Sequence, residues 1–403
     1  MSNLWSENHP RKFWQCQPDF SDDIWRDAIA KALPLLELDG DQRDMDAVLA
    51  LTLGEVRFGQ DHWKFSFPKK AYYLFKPLLP RSLICVLRRL YHRLEKETFN
   101  TALFFEPHYA NFLWGIMENL LRAAPDQNLC IKSLWPQKFR YALTLTHDVE
   151  TNVGQGFVRA VADLEERLGF RSSFNFVPEG YRINMNLVDE LRRRGFEVGI
   201  HGLKHDGKLF SSRAKFERSA VKINRYLKDF DAVGFRSPLT HRNPEWMQSL
   251  DIEYDLSFFD ADPFEPIPGG TMSIWPFFLG RFVELPYTLI QDYTLTTVLR
   301  ESTPRLWLEK VNFIEKNQGM ALLNSHPDYL RFQNTWDVYH QFLAAMKERE
   351  CYWRALPGEV AQWWKQRQTS SLSQDMTEIC LNKPEMCAQL FFNQQPECLN
   401  HPL

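Results

Sequence analysis

The chain has 403 residues, 44% of them hydrophobic, so it can bury a sizeable core as one large domain with appendages or as two domains. Its 48 basic and 51 acidic residues give a net charge of -3 and form no long basic tract, which argues against nucleic acid as a partner. The seven cysteines are widely spaced and form no C-x-x-C pair, which argues against a disulfide framework and a cysteine zinc site.

Signals for export or membrane insertion are not visible in the chain. The first residues lack a basic stretch followed by an apolar one, and no run of about 18 apolar residues occurs. We therefore expect a reducing, cytoplasmic setting, with any membrane contact being peripheral.

Residues 1–138 are rich in aromatic residues, and their apolar spacing predicts helices at 22–36, 81–95 and 110–123. We identify no catalytic pattern in this region. Within 69–96, leucines at helical spacing alternate with arginines and lysines, and two interpretations stay open. The segment is either an amphipathic helix packed on its own domain or a surface for an anionic membrane. Only the second implies a lipid-linked substrate.

Residues 139–367 change to strands alternating with helices, which is typical of a parallel sheet or a (β/α) barrel. Strands are predicted at 141–146, 173–177, 196–200, 232–235, 253–257, 282–286 and 320–324. Helices are predicted at 156–168, 185–194, 213–227, 244–250 and 307–317. Residues 368–403 are polar and irregular, and we expect a disordered tail there.

Five polar patches follow predicted strands, and they lie at 146–150, 201–205, 234–238, 254–262 and 324–328. Because the carboxyl ends of parallel strands meet at one edge of a sheet or barrel, we expect these side chains to converge. One site for metal-assisted hydrolysis explains the set most economically.

The pair His201 and His205 can place two imidazole nitrogens on one cation, with a carboxylate as third ligand. Asp148 and Glu150 lie two residues apart, so one can complete the metal shell while the other accepts a proton from water. The sequence leaves open which carboxylate does which, and capping the next helix is a further alternative for either of them.

Arg236 leaves a predicted strand just before Ser-Pro, where we expect its guanidinium to hold a carboxylate in a bidentate pair. The alternative is a surface arginine with nothing to orient. His326 follows another predicted strand and is a candidate acid for a leaving amine.

Over about residues 140–330, this ordered set resembles the polysaccharide deacetylase family, also called the carbohydrate esterase 4 or NodB homology family. The phrases at 170–178, 262–266 and 285–288 resemble a divergent branch seen among hypothetical polysaccharide-biosynthesis proteins. The resemblance implies a distorted (β/α) barrel that removes an acetyl group from a sugar with a divalent metal. Zn²⁺ is the first expectation, and Co²⁺, Mn²⁺ or Ni²⁺ are alternatives.

By this resemblance His201 and His205 are metal ligands, with Gly202 where the family has Ser or Thr. The third ligand is Glu150 or Asp148, the base is Asp148, Arg236 orients that base, and His326 is the general acid. Substrate-binding roles are expected for Pro238, from the Arg-x-Pro motif, for the aspartate-rich loop and for an aromatic side chain; these residues are Pro238, Asp255, Asp260, Asp262 and Tyr287.

The sequence thus predicts a metal-dependent hydrolase acting on an acetylated sugar of a glycan or of a nucleotide- or lipid-linked glycan precursor. Two alternatives stay open. The first is a catalytically silent barrel that binds glycan or acts as a scaffold, and the second is an amidase for a non-sugar C–N bond.

Overall fold

The computed structural model describes residues 4–39, 44–59, 61–64, 104–125, 128–369 and 378–381. The helix predicted at 81–95 and the segment 69–96, for which a packed helix and a membrane surface are the two open interpretations, lie outside these residues. Within the described ranges, no helix is both long and apolar enough to span a bilayer.

The described helices are α1 (Pro10–Trp14), α2 (Asp22–Ala32), α3 (Met45–Leu51), α4 (His108–Ala123), α5 (Asn152–Leu168), α6 (Met185–Arg193), α7 (Arg213–Asp229), α8 (Pro244–Met247), α9 (Arg305–Lys316), α10 (Pro327–Leu330), α11 (Gln333–Lys347) and α12 (Pro357–Thr369). The strands are β1 (Leu129–Lys132), β2 (Tyr141–Val149), β3 (Ser173–Phe176), β4 (Glu197–His201), β5 (Gly234–Arg236), β6 (Tyr254–Asp255), β7 (Phe277–Leu279), β8 (Phe282–Glu284), β9 (Met320–Ser325), β10 (Tyr352–Arg354) and β11 (Glu378–Leu381).

A mainly parallel sheet, of which β2 is one strand, curls into a barrel. Every residue of β2 is buried, as expected for a strand covered on both faces. From β2 the parallel pairs run through β3, β4, β5 and β6 to β8, while β9 pairs with the other edge of β2. The circle closes through parallel bridges from Tyr287 to Phe259 and from Leu289 to Leu323. The predicted distorted (β/α) barrel is confirmed.

Polar side chains cap the N-termini of helices that follow the strands. The Thr151 hydroxyl accepts from the first backbone N–H groups of α5, and Gly169 ends that helix with a φ of 82°. Asn184 caps α6 and Ser212 caps α7 in the same way. These caps set where each loop stops, so they limit the freedom of the residues between strand and helix.

The N-terminal region shares its core with the barrel. The indole of Trp14 donates to the Leu113 carbonyl on α4 at 3.1 Å. The neighbouring ring of Phe13 packs edge-on against Trp275 with ring centroids 5.5 Å apart. The barrel and this region are therefore joined by buried aromatic contacts.

Two features differ from the sequence expectations. β1 lies in the region expected to be mainly helical, and it pairs antiparallel with β11, which lies in the segment expected to be disordered. Cys130 and Cys380 face each other in this ladder and form a disulfide, which the argument against a disulfide framework did not anticipate. Their separation of 250 residues explains why spacing along the chain did not reveal the pair.

Candidate metal centre and active site

Residues from four strand ends meet at one rim of the barrel. Asp148 is the penultimate residue of β2, His201 ends β4, Arg236 ends β5 and His326 directly follows β9. All four are at most 4% exposed. The parallel register places these ends at one edge, as the sequence indicated.

Three side chains form a candidate metal centre. The donor atoms of Glu150, His201 and His205 lie within 4.8 Å of one another. Nε2 of His205 is 3.0 Å from Oε1 of Glu150. Two imidazoles and a carboxylate are a donor set that Zn²⁺ and similar cations accept.

The His201 ring is oriented for ligation. Its Nδ1 lies 3.1 Å from the Arg236 carbonyl oxygen, and because a carbonyl only accepts, Nδ1 carries the proton. Nε2 is then the free lone pair, and it is buried with no hydrogen-bond partner among the described residues. Burial lowers the pKa of His201 to about 4, which keeps the ring in its neutral, metal-binding form. These residues fit a divalent cation.

The local geometry explains why position 202 is glycine, where the family has Ser or Thr. Its φ is 63°, and a Cβ there would lie 2.5 Å from Cδ of Pro238. A side chain at this position would therefore be strained and would collide with the turn at Pro238–Thr240. Glycine lets the chain reverse directly after His201 so that His205 can return to the same centre.

Asp148 lies beside the metal cluster and is held by protein donors. Oδ1 accepts from Asn175 and from Arg236, each at 3.1 Å, and Oδ2 accepts from Asn324 at 3.0 Å. Burial alone would raise the pKa of the Asp148 carboxyl, but the Arg236 charge and these hydrogen bonds hold it well below its usual range. Asp148 is therefore ionised.

The pKa of the Glu150 carboxyl is set by the same two opposing effects, burial and neighbouring positive charge. Burial would raise the pKa of this carboxyl, but the adjoining His205, with His326 and His201, brings it well below the ordinary value. The structure thus groups Glu150 with both histidines. The Asp148 carboxylate is surrounded instead by amides and a guanidinium.

Arg236 is buried, so the alternative of a surface arginine is excluded. Its Nη1 donates to Asp148, to Thr146 at 3.0 Å and to Asn324 at 2.6 Å. Its Nε donates to the Leu256 carbonyl at 2.8 Å. The expected bidentate pair was wrong in form, because one guanidinium nitrogen serves three acceptors.

His326 has a partner that sequence reasoning missed. Nδ1 of His326 is 2.7 Å from Oδ1 of Asp292, and its backbone N–H donates to Oδ2 at 2.9 Å. Burial would lower the pKa of His326, but the Asp292 charge outweighs burial and raises it to about 10. The available signal was an acid that closely follows the apolar run Leu289-Ile290.

The predicted substrate-binding residues fall into three groups. Asp255 accepts from the Ser257 hydroxyl at 2.8 Å, and Asp260 pairs with Lys310 at 2.5 Å, so both carboxylates serve buried partners. Asp262 lies 3.3 Å from the Tyr287 hydroxyl, which also donates to Glu265. No described hydrogen bond joins these residues to the metal cluster. Pro238 packs against Gly202, the residue that directly follows the candidate ligand His201.

His147 lies on the opposite face of β2 from Asp148, as the alternation of a strand requires. Its ring bonds Ser325 at 2.8 Å and Glu165 at 2.7 Å, and Glu165 also accepts from Tyr339. This buried network ties β2 to β9, α5 and α11. It supports from behind the strand ends that carry Asp148 and His326.

No family model matches this chain, and no curated protein matches it. Among solved structures, a protein from Mycobacterium smegmatis described as a candidate polysaccharide deacetylase is 16% identical, with a TM-score of 0.50, and the match covers 60% of this chain and 97% of that one. The Puue allantoinase is 15% identical, with a TM-score of 0.46, covering 60% and 95%. A protein from Pseudomonas aeruginosa PAO1 described as a probable polysaccharide deacetylase is 14% identical, with a TM-score of 0.47, covering 60% and 96%.

The first of these matches defines the class of fold. The barrel has the fold of this candidate polysaccharide deacetylase, so the resemblance seen in the motifs is confirmed at the level of the fold. Almost the whole length of the Mycobacterium smegmatis protein is covered, so the rest of this chain has no counterpart in it.

Proposed function

We propose that this protein is a metal-dependent hydrolase that removes an acetyl group, most simply an N-acetyl group, from a sugar of a glycan or glycan precursor. One juxtaposition carries the proposal. A two-histidine, one-carboxylate donor set lies between an ionised Asp148 and a carboxylate-paired His326. Nε2 of His326 is 3.9 Å from Oε1 of Glu150, so the acid faces the same centre.

Glu150, His201 and His205 would hold the cation, with Zn²⁺ first and Co²⁺, Mn²⁺ or Ni²⁺ as alternatives. When bound, such an ion supplies Lewis acidity for the acetyl carbonyl and makes water a stronger nucleophile. The Arg236 carbonyl fixes the His201 ring so that its free nitrogen points into the cluster.

Asp148 would accept the proton of the attacking water. Its hydrogen bonds to Asn175, Arg236 and Asn324 keep it ionised and restrict its rotation, so an acceptor is already in place when water adds to the carbonyl carbon. Arg236 acts here through Asp148 as a positioning residue.

His326 would donate the proton that the departing amine needs. Asp292 keeps the imidazole protonated and fixes its rotamer through both carboxylate oxygens. The overall reaction balances: water supplies OH to the acetyl carbon, the C–N bond breaks, and the amine leaves with the His326 proton. The proton held by Asp148 then restores His326.

The substrate's carrier and the cellular location belong to the same proposal. A nucleotide- or lipid-linked precursor on the cytoplasmic side is the substrate we expect, and segment 69–96 is a candidate membrane contact. Flotation of the protein with anionic vesicles tests the contact separately from catalysis.

The test is release of acetate from acetylated amino sugars by metal-loaded protein. The panel contains free oligosaccharides and nucleotide-linked and lipid-linked N-acetyl sugars, with an Asp148→Asn variant at equal metal content. We expect acetate and free amine in equal amounts from wild type and almost none from the variant. A fully loaded wild type that binds these sugars without releasing acetate would favour the silent glycan-binding barrel. Turnover of a non-sugar amide alone would favour the amidase.

A further inference from the structure

Glu55 belongs to the N-terminal region, yet its carboxylate bonds residues of the two loops that follow barrel strands β5 and β6. It forms a two-point ion pair with Arg242, in which Nε donates to Oε2 at 2.8 Å and Nη2 donates to Oε1. Both side chains are at most 1% exposed. Burial would raise the pKa of Glu55, but Arg242 outweighs it and brings the value to about 2.

Arg242 also contacts the turn that follows Arg236. Its Nη1 donates to the Thr240 carbonyl at 2.6 Å. Leu239 and Thr240 have φ angles of 62° and 52°, which are costly for residues with side chains and persist where neighbours hold them. The Glu55–Arg242 pair is one such hold.

The same turn supports the candidate metal centre. Pro238, its first residue, packs so closely on Gly202 that no Cβ would fit between them. Gly202 directly follows His201, and the His201 ring bonds the Arg236 carbonyl at 3.1 Å. A chain of direct contacts therefore runs from Glu55 to the loop that carries both histidines.

A second loop is held from the same side. The Gly270 N–H donates to Glu55 Oε1 at 2.6 Å, and the Gly270 carbonyl accepts from Arg57 Nη2 at 2.5 Å. A Cβ at Gly269 would lie 1.9 Å from Arg242, so this loop also fits closely against the ion pair. The loop carries Asp262 and Glu265 and leads back to β7.

Stability alone is a poor reason for this arrangement. Buried ion pairs contribute little net stability, and well-packed apolar side chains of the same size often replace them without loss. Packing would also not require contacts to the backbone of two separate rim loops. Directional hydrogen bonds suit fixing a geometry better than filling a space.

We propose that Glu55 and Arg57 are positioning residues of the candidate active site, through which the N-terminal region fixes the loops at 238–242 and 262–270. The region is then a working part of the site, although the matched deacetylase fold does not require it. The catalytic meaning of this role rests on the function proposed above, whereas the positioning itself does not.

The test is hydrogen–deuterium exchange of three variants of the full chain. Glu55→Gln keeps the side-chain volume, Arg57→Ala removes the Gly270 carbonyl contact without touching Arg242, and Glu118→Gln is the matched control, since Glu118 pairs with Arg122 on the surface of α4. We expect Glu55→Gln to speed exchange roughly ten-fold in peptides covering 237–242 and 262–271. Arg57→Ala should affect only 262–271, and Glu118→Gln neither.

Unchanged exchange in both peptides of Glu55→Gln would overturn the proposal. An equal rise throughout β2 and β9 would also overturn it, because that is loss of global stability. If Glu55→Gln does not fold, Arg57→Ala decides the question at 262–271.

Metal affinity gives a second readout. We expect Co²⁺ titration to show roughly ten-fold weaker binding for Glu55→Gln than for Glu118→Gln, as for residues that support metal ligands. Equal affinities would confine the role to the loops and remove the link to the histidines. A wild type inactive on every acetylated sugar would refute the proposed function and leave the exchange result standing.

Discussion

Asp292 holds His326 at two points: one carboxylate oxygen bonds the ring Nδ1 at 2.7 Å and the other bonds the backbone N–H at 2.9 Å. This arrangement fixes the ring and leaves Nε2 directed toward Glu150. The proposed acid therefore depends on a residue outside every motif that the sequence displayed.

We predict that Asp292→Asn lowers kcat for deacetylation by roughly 100-fold, because the amide no longer stabilises the protonated ring. Metal content and KM should stay near wild-type values, since no hydrogen bond among the described residues joins Asp292 to Glu150, His201 or His205. Steady-state kinetics at equal metal loading measure this. A kcat within about two-fold of wild type would show that His326 does not depend on Asp292 for its role as the acid.

Replacing the two candidate histidine ligands should abolish metal binding. We expect near-stoichiometric metal in wild type and almost none in His201→Ala/His205→Ala, because two of three donors are lost. Elemental analysis measures the content, and His340→Ala, an exposed histidine on α11, is the control. Equal metal in all three proteins would place the cation elsewhere.

Substitutions of the two carboxylates, Glu150 and Asp148, should have different effects on metal binding and on turnover. Glu150→Gln is expected to weaken metal binding by roughly ten-fold or more, because its oxygen belongs to the donor cluster. Asp148→Asn should keep the metal and lose turnover, because Asp148 is held by Asn175, Arg236 and Asn324. Metal titration and kcat on the same samples distinguish them. The reverse pattern would make Asp148 the ligand.

Glu197 predicts a pH dependence of stability away from the candidate site, at the opposite end of β4. Burial raises its pKa from 4.5 to about 7, despite hydrogen bonds from Tyr254 and from the Gly358 N–H. The folded state thus binds this proton more tightly than the unfolded state. The stability that Glu197 contributes is fully present below its unfolded pKa and is lost as the pH rises through its folded pKa of about 7.

Urea unfolding at pH 5 and pH 8 tests this with Glu197→Gln, which cannot titrate. We expect wild type to lose up to roughly 3 kcal/mol more than the variant between these two conditions. Parallel pH profiles for the two proteins would show that Glu197 titrates normally in the folded state.

The Cys130–Cys380 disulfide predicts a cross-linked peptide pair. Mass spectrometry of a non-reduced digest should recover peptides containing these two residues as one species, and reduction should separate them. Cys380→Ser should expose the C-terminal strand β11 to protease sooner than in wild type, because one covalent tie is lost. Separate peptides in a fully oxidised sample would contradict the pairing.

Much of the barrel followed from local patterns. Helix α7, predicted at 213–227, extends over Arg213–Asp229, and β9, predicted at 320–324, extends over Met320–Ser325. Such segments are readable because burial against a parallel sheet demands apolar runs and helical periods. The three-residue strands β7 and β10 were missed, although β5 and β8, which have the same length, were predicted.

The sequence by itself determined the rim. Polar residues placed after buried runs, in strands joined by helices, had to meet at one edge, which brought Asp148, His201, Arg236 and His326 together. Only the tertiary structure decided the pairings: Glu150 with the two histidines, Asp292 with His326, and Glu55 with Arg242, 187 residues away. The reason is physical. Strand and helix periods are local properties of the chain, whereas a hydrogen bond between distant side chains exists only once the fold has placed both partners.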